Sequence, residues 1–213
     1  MGLPLFYTSE VFMNQFKPST EILLGSILLI TVTVLLGMML NRVMVKKGFK
    51  SSLAIIIPIM VIISSILILR FGLTATTIQG LFLTLILLYA SFSDLTNHEA
   101  DDFLWVIVLA LSLCSINTVG LISMVLGALF VIIPQLAMAI LPPHKTLGGA
   151  DIKLSTALAF LLGTWRGLGA YLIGLVIAVI YMAIYNKLKN RDGKEPFALI
   201  PFLSMGAIAM FII

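Results

Sequence analysis

Thr77 to Asp94 reads TIQGLFLTLILLYASFSD, an apolar run with few polar breaks that is closed by a carboxylate. A membrane-spanning helix needs about 20 mostly apolar residues, with a lower limit near 17, and residues 77–93 meet that limit. Seven more apolar stretches surround it, at residues 21–40, 53–69, 103–117, 120–141, 151–163, 167–186 and 197–213, of which 103–117 and 151–163 are shorter than that limit. Polar or glycine-containing breaks separate them, as at Asn117, Thr118 and Gly120. Composition supports lipid as the solvent for most of the chain. Of its 213 residues, 61% are hydrophobic and 10% charged, where soluble domains run to about 45–50% and 25%. Mean hydropathy is +1.17. So few polar groups cannot cover so much apolar surface in water. A nucleic-acid-binding domain, a secreted disulfide scaffold and a disordered regulator are excluded. The expected fold class is an all-α polytopic membrane protein with about eight transmembrane helices.

Charge then sets orientation, because Lys and Arg concentrate on the cytoplasmic side of membrane proteins. With the N-terminus outside, ten basic residues fall on inner segments: Arg42, Lys46, Lys47, Lys50, Lys145, Lys153, Lys187, Lys189, Arg191 and Lys194. Only Lys17, Arg70 and Arg166 fall outside. That asymmetry predicts an even number of spans with both termini outside. Residues 41–52 form a short basic inner loop, and residues 190–193 (Asn-Arg-Asp-Gly) signal a turn. No repeat, low-complexity tract or long linker divides the chain, so residues 1–213 read as one membrane-embedded domain. Cys114 is the lone cysteine, which leaves no intrachain disulfide. Glu10 and the missing basic n-region argue against a cleavable signal peptide, and Phe6 stands where myristoylation wants Ser or Thr.

Acidic side chains near the bilayer are costly and usually mark a working cavity. Glu10, Glu21, Asp192 and Glu195 lie in termini or loops, where water solvates them. Asp94 leaves the inner end of the third apolar stretch, followed by Glu99, Asp101 and Asp102 with no Lys or Arg beside them. An ordinary reading gives Asp101 and Asp102 to the start of the next helix, where the dipole favours negative charge. That reading suits Asp94 less well, since it adjoins a helix C-terminus. The second place is residues 142–151, Pro-Pro-His-Lys-Thr-Leu-Gly-Gly-Ala-Asp. Prolines end one helix, the paired glycines Gly148 and Gly149 allow conformations and close approaches that a Cβ forbids, and Asp151 opens the next. Read alone, Asp151 is equally an N-cap.

Taken together, the two aspartates say more. One helix out, a tight turn and one helix back occupy the residues between Asp94 and Asp151, returning both carboxyls to the same inner face. Two such groups a few Å apart hold one proton between them. One activates water as general base while the other protonates the leaving amine. Helix ends would favour Asp151 as base and Asp94 as acid, although a coupled pair titrates as a unit.

These residues resemble a known family. Residues 90–94 (Ala-Ser-Phe-Ser-Asp), 99–105 (Glu-Ala-Asp-Asp-Phe-Leu-Trp) and 148–153 (Gly-Gly-Ala-Asp-Ile-Lys) are similar to motifs of the type IV prepilin and archaeal preflagellin leader peptidases, polytopic GxGD-type membrane aspartic proteases. The resemblance runs from about Tyr89 to the C-terminus. It includes residues 196–203 (Pro-Phe-Ala-Leu-Ile-Pro-Phe-Leu) with Gly206, where Pro196 can start a helix and Pro201 would kink it. It implies that Asp94 and Asp151 are the catalytic pair and that Gly148 and Lys153 are the motif glycine and lysine. Lys153 lies two residues from Asp151, on another helix face, and would contact backbone or headgroups. Gly149, Ala150, Glu99, Asp101 and Asp102 would shape the site or meet substrate. Ala150 departs from the family's usual glycine. The family's bifunctional bacterial members carry a cysteine-rich methyltransferase domain where this chain has only residues 41–52.

The resemblance further implies a prepilin- or preflagellin-like protein substrate and a prokaryotic cell membrane, with cleavage at the cytoplasmic face. The precursor's helix would enter from the lipid bilayer, and the acidic loop would attract a basic leader. No cofactor, metal or nucleic acid is expected; His98 and His144 lack metalloprotease spacing. Two other readings use the same aspartates. One is a presenilin-like protease cutting within a helix, against which stands the absence of a true Pro-Ala-Leu element. The other is a small proton-coupled transporter, for which the chain lacks matching interrupted helices in its two halves.

Overall fold

The computed structural model describes residues 20–49, 51–98, 101–140, 148–189 and 197–213, which are helical with no strand among them. Helix α1 spans Thr20–Lys46, α2 Leu53–Phe71 and α3 Ala75–Asn97. The next apolar stretch is a broken rod: α4 (Phe103–Ser112), a 3-10 turn (Leu113–Ser115) and the one-turn α5 (Ile116–Val119). Then come α6 (Leu121–Ile140), α7 (Gly149–Leu162), α8 (Thr164–Lys189) and α9 (Ile200–Ile212). Five of these, α1, α2, α3, α6 and α8, are long and apolar enough to cross a membrane. The Phe103–Val119 rod, α7 and α9 are shorter.

Local chemistry explains the boundaries. The Ser52 hydroxyl accepts the Ala54 N–H at 3.3 Å to cap α2, and Gly72 closes it with φ 66. Gly120 (φ 83) and Gly163 (φ 80) make the turns after α5 and α7, conformations that L side chains resist. Helix α1 has 27 residues, about 40 Å at 1.5 Å per residue, against a hydrocarbon core of about 30 Å. It is longer than that core requires, and the first half of the expected 41–52 loop is helix. Two further expectations change. Asp94 lies inside the last turn of α3 rather than beyond it, and Pro201 sits in the first turn of α9, where its missing N–H is no loss. It starts the helix and does not kink it. Pro196, Pro142, Pro143, His144 and the turn at 190–193 lie outside the described residues.

Successive helices alternate in direction. At one end Gly25 meets Leu73, the Gln79 amide donates to Ser115, Ser123 pairs with Thr164, and Arg70 donates to the Ile212 and Ile213 carbonyls. The other end gathers Asp94, Asp101, Asp102, Asp151, Lys47 and Lys153. Helix α3 is the hub. Half of its apolar stretch is buried, against 11–28% in the other long helices, which leave most of their apolar surface uncovered by the rest of the chain. Leu83, Leu87 and Ala90 of α3 share one core with Ile56 and Met60 of α2, Leu104 and Val108 of α4, Leu154 and Leu158 of α7, and Ile200 and Ala207 of α9. In lipid, helices hold one another by close packing, helped by small residues. Gly206 is the tightest case, since a Cβ there would be driven into the Ala170 carbonyl oxygen of α8. That contact fixes α9 against α8 and so places the start of α9 beside Asp94.

Candidate active site

Asp94 is 5% exposed, turned inward from the last turn of α3. Its Oδ2 accepts the Ile200 N–H at 2.8 Å, and the Leu199 N–H also reaches its carboxylate. These donors open α9, where a helix has no carbonyls of its own to satisfy them. Asp94 thus performs for α9 the service of an N-cap, from a different helix. The Ser91–Ser204 hydroxyl contact at 3.1 Å fixes the register of α3 on α9 beside it. His98 ends α3 in the left-handed region (φ 53), its N–H bonded to the Asp94 carbonyl at 2.9 Å. Its imidazole is near enough for a charge there to act on the Asp94 carboxylate.

Asp151 is the third residue of α7, not its N-cap. Gly148 holds the N-cap position in extended conformation (φ −68, ψ 141). Its N–H donates to the Asp151 carboxylate, the reciprocal half of a capping box. A Cβ on Gly148 would lie 3.0 Å from Asp151 Oδ2, whereas one on Gly149 would meet nothing within 4 Å. Neither glycine has positive φ. Backbone freedom therefore does not explain the pair; room for the Asp151 carboxylate explains Gly148. The Asp94 and Asp151 carboxylates are close enough for each charge to act on the other. Since both receive backbone N–H bonds at a helix start, the dipole argument no longer separates a base from an acid.

The acidic loop is arranged differently from expectation. Asp101 does not supply the start of α4; its Oδ2 takes Lys47 Nζ at 2.8 Å and the Tyr89 hydroxyl. Lys47 also reaches Tyr89 Oη at 2.6 Å and lies over the Tyr89 and Phe103 rings, 5.2 and 5.5 Å from their centroids. Lys47 and Tyr89 hold the Asp101 carboxyl below its usual range, and Asp101 followed by Tyr89 hold the Lys47 ammonium above its own. Asp102 occupies the N-cap position of α4 without a side-chain capping bond. It pairs instead with Lys153 at 2.7 Å, so Lys153 contacts neither backbone nor headgroups through this bond. Neither carboxylate stands as a bare attractor for a basic leader. Ala150 lines a small crevice with Asp101, Asp102, Leu104, Trp105 and Leu154. Glu99 lies outside the described residues. Among the described residues no three His, Cys, Asp or Glu side chains gather to hold a metal ion.

Sequence reasoning passed over Tyr89, the specific part of Lys47, and the Leu199 and Ile200 amides. Lys47 carries no signal beyond basicity, and a main-chain donor carries none at all.

No curated protein and no solved structure matches the chain. Residues 81–184, which contain both aspartates, match the family model described as the type IV leader peptidase family. The match gives no support to the transporter or helix-cutting readings. By that match nearly half of this membrane-type helical chain is similar to the type IV leader peptidase family, a family of proteases.

Proposed function

We propose that the protein is a membrane aspartic endopeptidase that removes the short leader of type IV prepilin-like precursors at the cytoplasmic face, with Asp94 and Asp151 activating the water. One observation carries this reading: carboxylates from two different helices come within electrostatic reach of one another at the same end of the bundle. That end also carries Lys46, Lys47 and Lys153, as a cytoplasmic face should.

A water between the carboxyls loses its proton to the ionised partner as it attacks the scissile carbonyl. The protonated partner then delivers its proton to the departing amine. Backbone N–H groups of Gly148, Leu199 and Ile200 orient the two carboxylates before substrate arrives. The precursor's apolar helix stays in the bilayer, and its polar leader reaches the bundle end where the aspartates lie. A basic leader residue would exchange with Lys153 at Asp102 rather than meet an empty carboxylate.

The test is incubation of the purified protein with a tagged prepilin, read by size shift and by sequencing the new N-terminus. Asp94→Asn and Asp151→Asn should each lower trimming at least ~100-fold, within the range of general acid–base contributions. The amide oxygen that Asp94→Asn introduces can still accept the Ile200 N–H, so the fold of that variant should survive. Either variant trimming at the wild-type rate would end this reading.

A further inference from the structure

One turn along α7 from Asp151, about 6 Å along the axis, lies Ser155, on nearly the same side of the helix. It is 4% exposed. Its Oγ accepts from Gln135 Nε2 at 2.8 Å and donates to Gln135 Oε1 at 3.0 Å. Gln135 is wholly buried, at 0% exposure, and its amide also hydrogen-bonds the Tyr171 side chain. A single amide thus ties α6, α7 and α8 together beneath the aspartates. It follows Pro134, which removes a backbone donor from α6.

Burying an amide is costly unless its donors and acceptors are met. An apolar side chain of similar volume would fill the space without that requirement, and such replacements are often neutral or stabilising. What the amide adds is direction. A methyl group tolerates rotation of α7 about its axis; two hydrogen bonds to Ser155 do not. Rotation of α7 swings the Asp151 carboxylate relative to Asp94, which α9 holds separately. Lys153 cannot supply this control, because its bond to Asp102 is solvent-exposed on both sides and such pairs contribute little.

We infer that Gln135 is a positioning residue that sets, through Ser155, the rotation of α7 and thereby aims Asp151 at Asp94. The inference rests on the peptidase reading for its consequence, but not for its geometry. Misplacing a reacting group by about 1 Å costs on the order of 100-fold, and partial release of one helix should cost less.

The experiment has two arms. In the first, Gln135→Leu should lower kcat about 5- to 30-fold with KM within about twofold, while the thermal midpoint holds or rises. The two limbs of the pH–rate profile should move closer together, because carboxylates held further apart influence each other less. Gln135→Glu, whose buried carboxyl stays protonated and keeps a donor and acceptors, should restore most of the rate. Gln79→Leu removes another buried amide, bonded to Ser115 at the far end of the bundle, and should leave kcat unchanged. In the second arm, Asp94→Cys and Asp151→Cys are combined in a Cys114→Ser background, and bridging by a short bifunctional thiol reagent is timed. Adding Gln135→Leu should slow the bridging severalfold.

Unchanged bridging overturns the inference. So does a kcat loss matched by Gln79→Leu, or one with unmoved limbs and a lowered midpoint. Slower bridging in a protein whose Asp94→Asn and Asp151→Asn variants still trim precursor would leave the positioning role standing and remove the peptidase reading alone.

Discussion

Gly148 and Gly149 are neighbours in sequence and opposite in consequence. An alanine at 148 keeps an ordinary backbone, since φ −68 and ψ 141 are open to any residue. Its Cβ, however, would lie 3.0 Å from Asp151 Oδ2. The carboxylate must retreat by a few tenths of an Å, away from the Gly148 N–H that holds it. A hydrogen bond to a charged acceptor contributes about 1.5–3 kcal/mol. At about 1.36 kcal/mol per tenfold change in rate, its loss in the transition state lowers kcat roughly 10- to 100-fold. An alanine at 149 meets nothing and should leave the rate within about twofold. Both substitutions restrict the unfolded chain, which stabilises by about 0.4–1 kcal/mol, so neither should lower the thermal midpoint. Single-turnover trimming of a tagged precursor, paired with thermal unfolding of the solubilised protein, reads both quantities. Equal effects of the two alanines, or a Gly148→Ala rate near wild type, would refute the argument that this glycine exists to make room for the carboxylate.

The Lys47–Tyr89–Asp101 latch predicts a stability window in pH. Asp101 titrates lower when folded, so its contribution is present above the ordinary carboxylate range and disappears as pH falls through the folded value. Lys47 titrates higher when folded, so its contribution is complete below the ordinary ammonium range and disappears as pH rises through the folded value. Both side chains are more than a third exposed, which limits the pair to about 1 kcal/mol. Asp101→Asn should therefore lower the thermal midpoint by about 2–4 °C at neutral pH, and the gap should close as pH falls below the ordinary carboxylate range and through the lowered folded value of Asp101. A gap that persists there would show that the carboxylate's charge is not responsible. Gly206→Ala drives a methyl into the Ala170 carbonyl and should cost about 1–3 kcal/mol. Because it displaces α9, whose first amides hold Asp94, trimming should fall with it; an unchanged midpoint would contradict the packing described.

Much of this was legible from residue order. Apolar stretches long enough to meet lipid were found where helices now stand, because hydropathy summed over about 15–20 residues is a local property that needs no partner. The isolated acids at 94 and 151 stood out for the same reason: each is expensive in its own neighbourhood. Even their shared end followed from alternating helices and the placement of Lys and Arg.

What escaped were pairings between helix ends. The N–H groups of Leu199 and Ile200 have no letter of their own, so nothing announced that Asp94 would serve them. Lys153 looked like a headgroup contact until Asp102 was brought opposite it, and Lys47 like one of several loop lysines until α1 ran past residue 40 toward Tyr89. Gly148 invited an argument about backbone freedom, and only the position of the Asp151 side chain gave the actual reason. Such contacts depend on the rotation and depth of each helix against its neighbours, and a shift of one residue, about 100° and 1.5 Å, makes or breaks them. Segment hydropathy is indifferent to that shift; close packing around α3 is not, and it decides which groups meet.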